Sequence, residues 1–186
     1  MKTTKNQIKI IGGQWKRKNV SFVDAPGLRP TPSRVRETLF NWLDQDLTTK
    51  VCLDLFSGSG VIGFEALSRG ARSVTMVEKS PQAFKMIQEN KKLLQAEKAD
   101  LEFMDALIFL QKNVIKFDII FCDPPFNEGW EAKLFPQLAN HLTKYGLIYF
   151  ESETDIKEHN VFNILKKRKA GNVFYHLVTL KNNDSI

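Results

Sequence analysis

The segment DLFSGSGVIG, residues 54–63, contains three glycines spaced as G-x-G-x-x-G, namely Gly58, Gly60 and Gly63. The stretch 51–56 before the glycines is apolar apart from one acid, which is typical of a buried strand of a parallel sheet. The stretch 61–70 after them has the composition of a helix closed by a glycine. Glycines at this spacing between a strand and a helix allow a tight turn and a close approach of the backbone to a ligand. The segment therefore predicts a nucleotide-type binding loop.

The chain beyond this segment repeats the same order of strand, turn and helix. Apolar runs predict further strands at 73–78, 101–104, 117–122 and 147–152. Amphipathic runs predict helices at 81–97, 106–113 and 131–142. The last apolar runs, 161–169 and 172–180, flank a short Ala-Gly-Asn turn and predict an antiparallel hairpin. We therefore expect a doubly wound α/β fold, with a mostly parallel seven-stranded sheet that ends in an antiparallel hairpin and binds ligands at the carboxyl ends of its strands.

The first fifth of the chain differs from the rest in charge. Residues 1–36 contain nine Lys or Arg and one acid, a net charge of +8, whereas the other 150 residues have a net charge of −2. The segment also contains apolar residues around Gly12-Gly13 that predict a β-hairpin, followed by a helix with Thr31 as N-cap. We expect a basic extension at 1–30 and one domain at 31–186. A solvated tail is the simpler explanation of the charge, but structured basic segments favour a polyanion such as nucleic acid.

Several classes of protein are excluded by composition. No apolar run could serve as a signal peptide or span a bilayer. The two cysteines, Cys52 and Cys122, lie inside apolar runs and fit no metal spacing, which predicts reduced core thiols and a cytoplasmic location. The three histidines are scattered through the chain. The sequence therefore predicts no metal site and no membrane association.

Acids at the predicted strand ends indicate which ligand the glycine loop binds. Glu78 ends the strand after the loop, at the position where an acid can hold ribose hydroxyls. Asp54 lies directly before the loop, where its carboxylate would repel a pyrophosphate but attract a cationic group. This favours S-adenosylmethionine over a dinucleotide. Asp105 follows the third strand, where it can accept the adenine amine or cap the helix that begins at Ala106.

A second motif, Asp123-Pro124-Pro125-Phe126, ends the strand 117–122. The prolines hold the backbone extended and remove two amide donors. The carboxylate of Asp123 and the carbonyl of Pro124 then form a rigid pair of acceptors suited to an exocyclic amine, and Phe126 offers a face for a base. A simple strand-ending turn with a core phenylalanine is the alternative.

These motifs resemble those of class I S-adenosylmethionine-dependent methyltransferases, which have a Rossmann-like fold. The segments IIGGQWKRK, GLRPTPSRVRETLFNWL and DLFSGSGVIGFEALSRGA, together with DPPF, are similar to the bacterial RsmD-type 16S rRNA guanine-N2 methyltransferases from about Ile8 to Leu180. The resemblance implies methylation of a guanine of 16S rRNA, in an assembled or assembling small ribosomal subunit.

The resemblance also implies roles for individual residues. It implies contacts to S-adenosylmethionine at Asp54, Ser57, Gly58, Gly60, Glu78, Lys79, Asp105 and Ala106. It implies contacts to the reacting amine and its base at Asp123, Pro124, Pro125 and Phe126. It places RNA phosphates near Lys16, Arg17, Arg29, Arg34 and Arg36. It also implies that the helix starting at Thr31 lies over the cofactor.

Three other functions compete with this prediction. A DNA adenine-N6 methyltransferase uses related chemistry but usually needs a separate target-recognition region. A noncatalytic nucleic-acid-binding protein would not be expected to keep Asp54, Glu78 and Asp123. An NAD-dependent oxidoreductase is disfavoured by Asp54 and by the absence of an obvious proton-transfer residue.

Overall fold

The computed structural model describes residues 5–23, 30–126 and 129–181. In chain order its elements are β1 (Lys5–Lys9), β2 (Asn19–Val23), α1 (Ser33–Trp42), β3 (Val51–Asp54), α2 (Val61–Ser68), β4 (Ser73–Glu78), α3 (Pro81–Leu94), β5 (Ala99–Phe103), α4 (Ala106–Lys112), β6 (Phe117–Cys122), α5 (Trp130–Leu138), β7 (Leu142–Ser152), β8 (Phe162–Ala170) and β9 (Val173–Leu180). A 3₁₀ turn, Ala139–His141, joins α5 to β7.

Seven strands form one sheet in the order β5-β4-β3-β6-β7-β9-β8. The first five in this order are parallel, and β9 runs antiparallel between β7 and β8. The predicted sheet and its terminal hairpin are confirmed. Because the chain winds outward in one direction from β3 and then in the other from β6, the order reverses between these two strands. Ligand sites in such sheets lie at the carboxyl ends of the strands beside this switch point.

Helices cover both faces of the sheet, as its apolar strands require. One face packs against α1, α2 and α3 through a core that includes Leu39, Phe64 and Ile87. The other face packs against α4 and α5 through a core that includes Phe109 and Leu134. The helices therefore fix the sheet from both sides and leave its carboxyl edge available for a site.

The N-terminal hairpin packs against the first of these helical layers. Strands β1 and β2 pair antiparallel, and Ile10, Trp15 and Val20 are buried in the same core as α2 and α3. The backbone amide of Trp15 donates to the hydroxyl of Ser68 in α2, and Asn90 of α3 bonds to both backbone groups of Ser21. The predicted hairpin is therefore present and anchored, while the domain boundary near residue 30 stays a prediction.

Some element ends differ from the sequence-based prediction. The helix predicted at 131–142 ends as α5 at Leu138, with Pro136 inside it, and continues as the 3₁₀ turn. Strand β7 begins at Leu142, five residues earlier than predicted, because this residue pairs with Phe117 beyond an irregularity in the ladder. Strand β3 ends at Asp54, so the chain turns toward the glycine loop directly after this acid.

Candidate active site

The glycine loop turns between β3 and α2 as its spacing predicts. Gly60 has φ 76° and is the N-cap of α2, a left-handed conformation that L side chains rarely adopt. A Cβ on Gly63 would lie 2.8 Å from Cε of Met76 and 3.1 Å from Oδ2 of Asp54. The third glycine is thus needed for close contact between the helix, strand β4 and the acid that ends β3.

Asp54 is buried directly under this loop. Its Oδ2 accepts a hydrogen bond from the amide of Gly63 at 3.1 Å, and 3% of the residue is exposed. Burial raises the pKa of Asp54 to about 7, although the bond from Gly63 opposes this shift; the charges of Asp123 and Glu78 raise it further. A cationic ligand beside this carboxyl would favour its ionised form.

Glu78 holds the other side of the loop. Its two carboxylate oxygens accept hydrogen bonds from the amides of Gly58 and Ser80, each at 2.7 Å. Each oxygen keeps a second lone pair for a hydroxyl donor. Glu78 therefore fixes the loop and can also hold a ligand, as the sequence predicts for a ribose-binding acid.

One cavity of about 730 Å³ joins most of the predicted residues. The predicted residues among its lining are Asp54, Ser57, Gly58, Glu78, Lys79, Ala106, Asp123, Pro124, Pro125 and Phe126. Gly60 is buried as the cap of α2, and Asp105 accepts from the amide of Leu107 as the cap of α4. Asp105 also lies 3.9 Å from Nζ of Lys79. Gly60 and Asp105 are therefore not among the lining residues of the cavity but cap the helices that begin beside it, and the predicted capping role of Asp105 is confirmed.

The second motif lies at the end of β6, beside the first. Asp54 pairs in register with Phe121, so Asp123 follows two residues beyond on the adjacent strand. Asp123 is half-buried, and burial raises the pKa of its carboxyl to about 6. Pro124 is buried and Phe126 is 44% exposed, so the ring is available at the mouth of the cavity.

The start of α1 contacts this motif. The hydroxyl of Thr31 donates to Oδ2 of Asp123 at 3.4 Å. The prediction that Thr31 caps α1 is wrong: Pro32 occupies the cap position without a side-chain cap bond, so the threonine side chain is free to bond across the cavity. Thr31 and Val35 line the cavity together with the glycine loop.

Glu151 is a site residue that the sequence analysis missed. It lies one position beyond Phe150, which pairs with Cys122, so it is the neighbour of Asp123 across two parallel strands. Glu151 is 7% exposed and accepts a 2.6 Å hydrogen bond from the hydroxyl of Tyr149. Burial, with the charge of Asp123, raises the pKa of Glu151 to about 8. An acid at the end of the predicted strand 147–152 was the available signal.

The predicted RNA-contacting residues have different environments. Lys16 and Arg17 are exposed in the β1–β2 connection, which packs on Ser68 at the end of α2 away from the cavity. Arg34 is exposed at the start of α1, close to the cavity-lining Thr31. Arg29 lies outside the described residues.

The expectation that Arg36 contacts RNA is wrong. Its side chain is fully buried, and its guanidinium bonds to the carboxylate of Glu65, to the carbonyls of Thr31 and Lys9 and to the hydroxyl of Ser33. Burial lowers the pKa of Arg36, which the charge of Glu65 opposes. All of its donors point into the protein, so the residue fixes α1 instead of reaching a phosphate.

Two other kinds of site are not found in the described part of the chain. No group of three or more His, Cys, Asp or Glu side chains among residues 5–23, 30–126 and 129–181 could hold a metal ion. Within the same ranges, no helix has the length and hydropathy needed to span a bilayer.

The sheet order, the glycine loop with its two acids and the Asp-Pro-Pro-Phe motif at the adjacent strand end define a class I methyltransferase fold. A family model described as Conserved hypothetical protein 95 matches residues 8–179. The chain belongs to this family, the RsmD family, as the sequence motifs indicate.

Named relatives and solved structures both support membership of this family. The chain is 39% identical to Ribosomal RNA small subunit methyltransferase D of Escherichia coli K12, over 92% of this chain and 89% of that protein. It is 38% identical to the Haemophilus influenzae protein of the same name, over 93% and 94%. The solved structure of Escherichia coli yhhF matches with a TM-score of 0.85 and 38% identity, over 95% of this chain and 99% of that one.

Proposed function

We propose that the protein transfers the methyl group of S-adenosylmethionine to the exocyclic N2 amine of a guanine in 16S rRNA of the small ribosomal subunit. The observation that carries this proposal is that a single cavity joins the glycine loop and its acids to the acceptor pair at Asp123 and Pro124. Relatives named ribosomal RNA small subunit methyltransferases support the RNA substrate.

The two carboxyl groups beside the glycine loop fit S-adenosylmethionine better than a phosphate-bearing cofactor. Two carboxyl groups, Asp54 and Glu78, line the cavity beside the loop, and both would repel a pyrophosphate. The same groups attract an ammonium and accept hydrogen bonds from ribose hydroxyls. Asp54, Gly58, Glu78 and the start of α4 at Ala106 would hold this cofactor. When bound, it supplies an electrophilic methyl group on a sulfonium.

The Asp-Pro-Pro-Phe motif would position the amine. Proline cannot donate from its backbone nitrogen, so two successive prolines leave acceptors and no amide donors beside Asp123. The carboxylate of Asp123 and the carbonyl of Pro124 each accept one amine hydrogen. Both bonds favour a pyramidal nitrogen whose lone pair points toward the methyl group. Phe126, exposed at the cavity mouth, stacks on the base that is taken out of its helix.

The protonation states around the motif suit this role. The pKa of Asp123 is raised by burial to about 6, so its carboxyl is largely ionised at neutral pH. Burial and the charge of Asp123 raise the pKa of Glu151 to about 8, so Asp123 and Glu151 together hold about one proton at neutral pH. Thr31 donates to Oδ2 of Asp123, and among the described residues no group donates to Oδ1. Oδ1 is thus available to the amine and stabilises the positive charge that develops on nitrogen.

The test is the identity of the methylated nucleoside. Purified protein and S-adenosylmethionine with a tritiated methyl group would be added to small ribosomal subunits from cells that lack the enzyme. The RNA would then be digested to nucleosides, and label is expected in N2-methylguanosine. Label in DNA adenine, with none in RNA, would instead support the adenine-N6 alternative. Binding of RNA without transfer of label would support a noncatalytic protein.

A further inference from the structure

A second basic surface lies far in sequence from the N-terminal extension. Residues Lys166, Lys167, Arg168 and Lys169 are consecutive on the edge strand β8, and all four are exposed. The run lies within residues 37–186, where 20 acidic residues outnumber 18 basic ones, so the net charge of that part of the chain does not reveal it. The run is therefore a feature that the expected RNA contacts did not include.

A β-bulge decides which way these side chains point. The pairing of β8 with β9 shifts between Ile164 and Lys166, so that Ile164 lies opposite Val178 but Lys166 lies opposite Leu177. A bulge of this kind turns the following side chains to the other face of the sheet. Without it, Lys166 would share the face of Val178, which is packed against α5.

The bulge places two of the four cations on the α1 side of the sheet. Lys166 lies opposite Leu177 and Arg168 opposite Tyr175, and directly opposed residues share a face. Tyr175 contacts Trp42 of α1, with ring centroids 5.5 Å apart. Lys166 and Arg168 therefore lie on the face of the sheet that α1 covers, which is also the face of Leu177 and Tyr175.

The other two cations of the run are engaged within the protein. Lys167 forms a salt bridge with Asp155 at 2.8 Å, and Nζ of Lys169 lies 4.6 Å from the ring centroid of Phe174. In contrast, neither Lys166 nor Arg168 has an ion-pair partner among the described residues. Two uncompensated charges thus remain available for an external anion.

The same hairpin ends at the candidate active site. Residues Ala170, Gly171, Asn172 and Val173 form the tip between β8 and β9, and all four line the cavity that contains Asp123. At about 3.3 Å per strand residue, Lys166 lies about 13 Å from Ala170. The unpaired cations are therefore within one or two nucleotides' reach of a base that enters the cavity.

We propose that Lys166 and Arg168 form an RNA-binding arm that contacts the phosphates flanking the target nucleotide. This inference rests on the proposed rRNA methyltransferase function. It adds to it a contact surface on the β8–β9 hairpin. Arg34 is exposed at the start of α1, the helix on this face of the sheet, so α1 and β8 each contribute exposed positive charge on that side. RNA phosphates are the anions that accompany the proposed substrate, and lysine and arginine are their usual partners.

The test measures how salt affects RNA binding. The double variant Lys166→Gln/Arg168→Gln would be compared with wild type for binding to small ribosomal subunits across a range of KCl concentrations. Loss of two phosphate contacts should reduce the slope of log K against log [KCl] by about 1.4 to 1.8. The KM for the subunits should rise, while the melting-temperature increase caused by S-adenosylmethionine should stay as in wild type.

Two further variants make the result specific. Lys112→Gln/Lys116→Gln removes the same charge from exposed positions at the end of α4 and directly before β6, at the amino-terminal end of the parallel strands, and should leave the salt slope unchanged. Lys166→Arg/Arg168→Lys keeps the charge and should preserve the wild-type slope. Lysines on edge strands also prevent association between sheets. A double glutamine variant that aggregates, but whose monomeric fraction has the wild-type slope, would overturn the proposal.

The outcome also separates this proposal from the function on which it rests. If wild-type protein fails to bind or methylate small subunits, the proposed function fails. If wild type methylates them and the double glutamine variant has the wild-type salt slope, only the RNA-binding arm is refuted.

Discussion

The hydroxyl of Thr31 lies 3.4 Å from Oδ2 of Asp123, although 92 residues separate them in the chain. The bond joins the segment before α1 to the acid that follows β6. The carbonyl of Thr31 in turn accepts from Nε of Arg36 at 3.1 Å. Because Arg36 is held by Glu65 in α2, the orientation of Asp123 depends on how α1 is packed against the sheet.

Thr31→Val should reduce turnover by about tenfold, since a hydrogen bond to a charged group contributes about 1.5–3 kcal/mol and this one is long. The bond from Thr31 lowers the pKa of Asp123, so its loss should raise that pKa further above its usual range. The acid limb of the pH–rate profile should therefore move to higher pH. Thr31→Ser retains the hydroxyl and is the control. A valine variant with the wild-type pH profile would contradict the assignment.

Asp123→Ala should reduce kcat by about 100- to 1,000-fold, because the variant loses both an acceptor and the charge that stabilises the developing cation. The affinity for S-adenosylmethionine should be retained, since Asp54 and Glu78 hold the loop from other strands. Single-turnover rates with labelled cofactor measure the first effect, and isothermal titration measures the second. Unchanged turnover would remove Asp123 from the chemistry.

The candidate site residues that belong to short local sequence patterns were predictable from sequence. The spacing of Gly58, Gly60 and Gly63 indicates a turn of only a few residues. Asp123 was recognised because two prolines follow it directly. The contacts of Thr31 could not be predicted in the same way, because its partner lies on a strand that is distant in sequence. The capping pattern of Thr-Pro favoured a local role, and tertiary packing overrode it.

Whether a charged side chain is buried or exposed was the property that the sequence predicted least well. Arg34 and Arg36 are two positions apart on one helix, yet the first is exposed and the second is fully buried. The sequence contains no sign of the buried partner Glu65, which lies 29 residues away. Glu151 was missed for the related reason that its importance depends on the register between β6 and β7.

The stability of the protein should depend on pH through Glu151. The pKa of this buried carboxyl is raised in the folded state to about 8, above its unfolded value, so the folded state binds more protons between these two values. Glu151 therefore makes the folded state less stable as pH rises from about 4.5 to 8. Glu151→Gln cannot ionise and should remove this contribution.

The measurement is the melting temperature at pH 5.5 and at pH 8.5. The melting temperature of Glu151→Gln minus that of wild type should be larger at pH 8.5 than at pH 5.5. Glu158→Gln, which removes an exposed carboxyl, is the matched control. A difference of the same size at both pH values would show that Glu151 titrates alike in the folded and unfolded states.

Among single substitutions that remove a charged side chain, a substitution of Glu65 should be the most destabilising. Its carboxylate is fully buried between the guanidinium groups of Arg36 and Arg69, and it also accepts from the amide of Ile11 at 2.7 Å. It thus links α2 to α1 and to the N-terminal hairpin. Removal of one member of a buried ion cluster leaves uncompensated charge, which typically costs about 3–5 kcal/mol.

Glu65→Gln should therefore lower the free energy of unfolding, measured by urea titration, by about 3 kcal/mol or more. The amide keeps the shape of the side chain and can still accept from Ile11, but its NH2 group cannot accept from the second arginine, so the loss reports both the missing charge and one missing acceptor. Glu97→Gln, at an exposed position, should change stability by less than about 0.5 kcal/mol. If Glu65→Gln were equally mild, the two arginines would not need the charge of Glu65 to be buried.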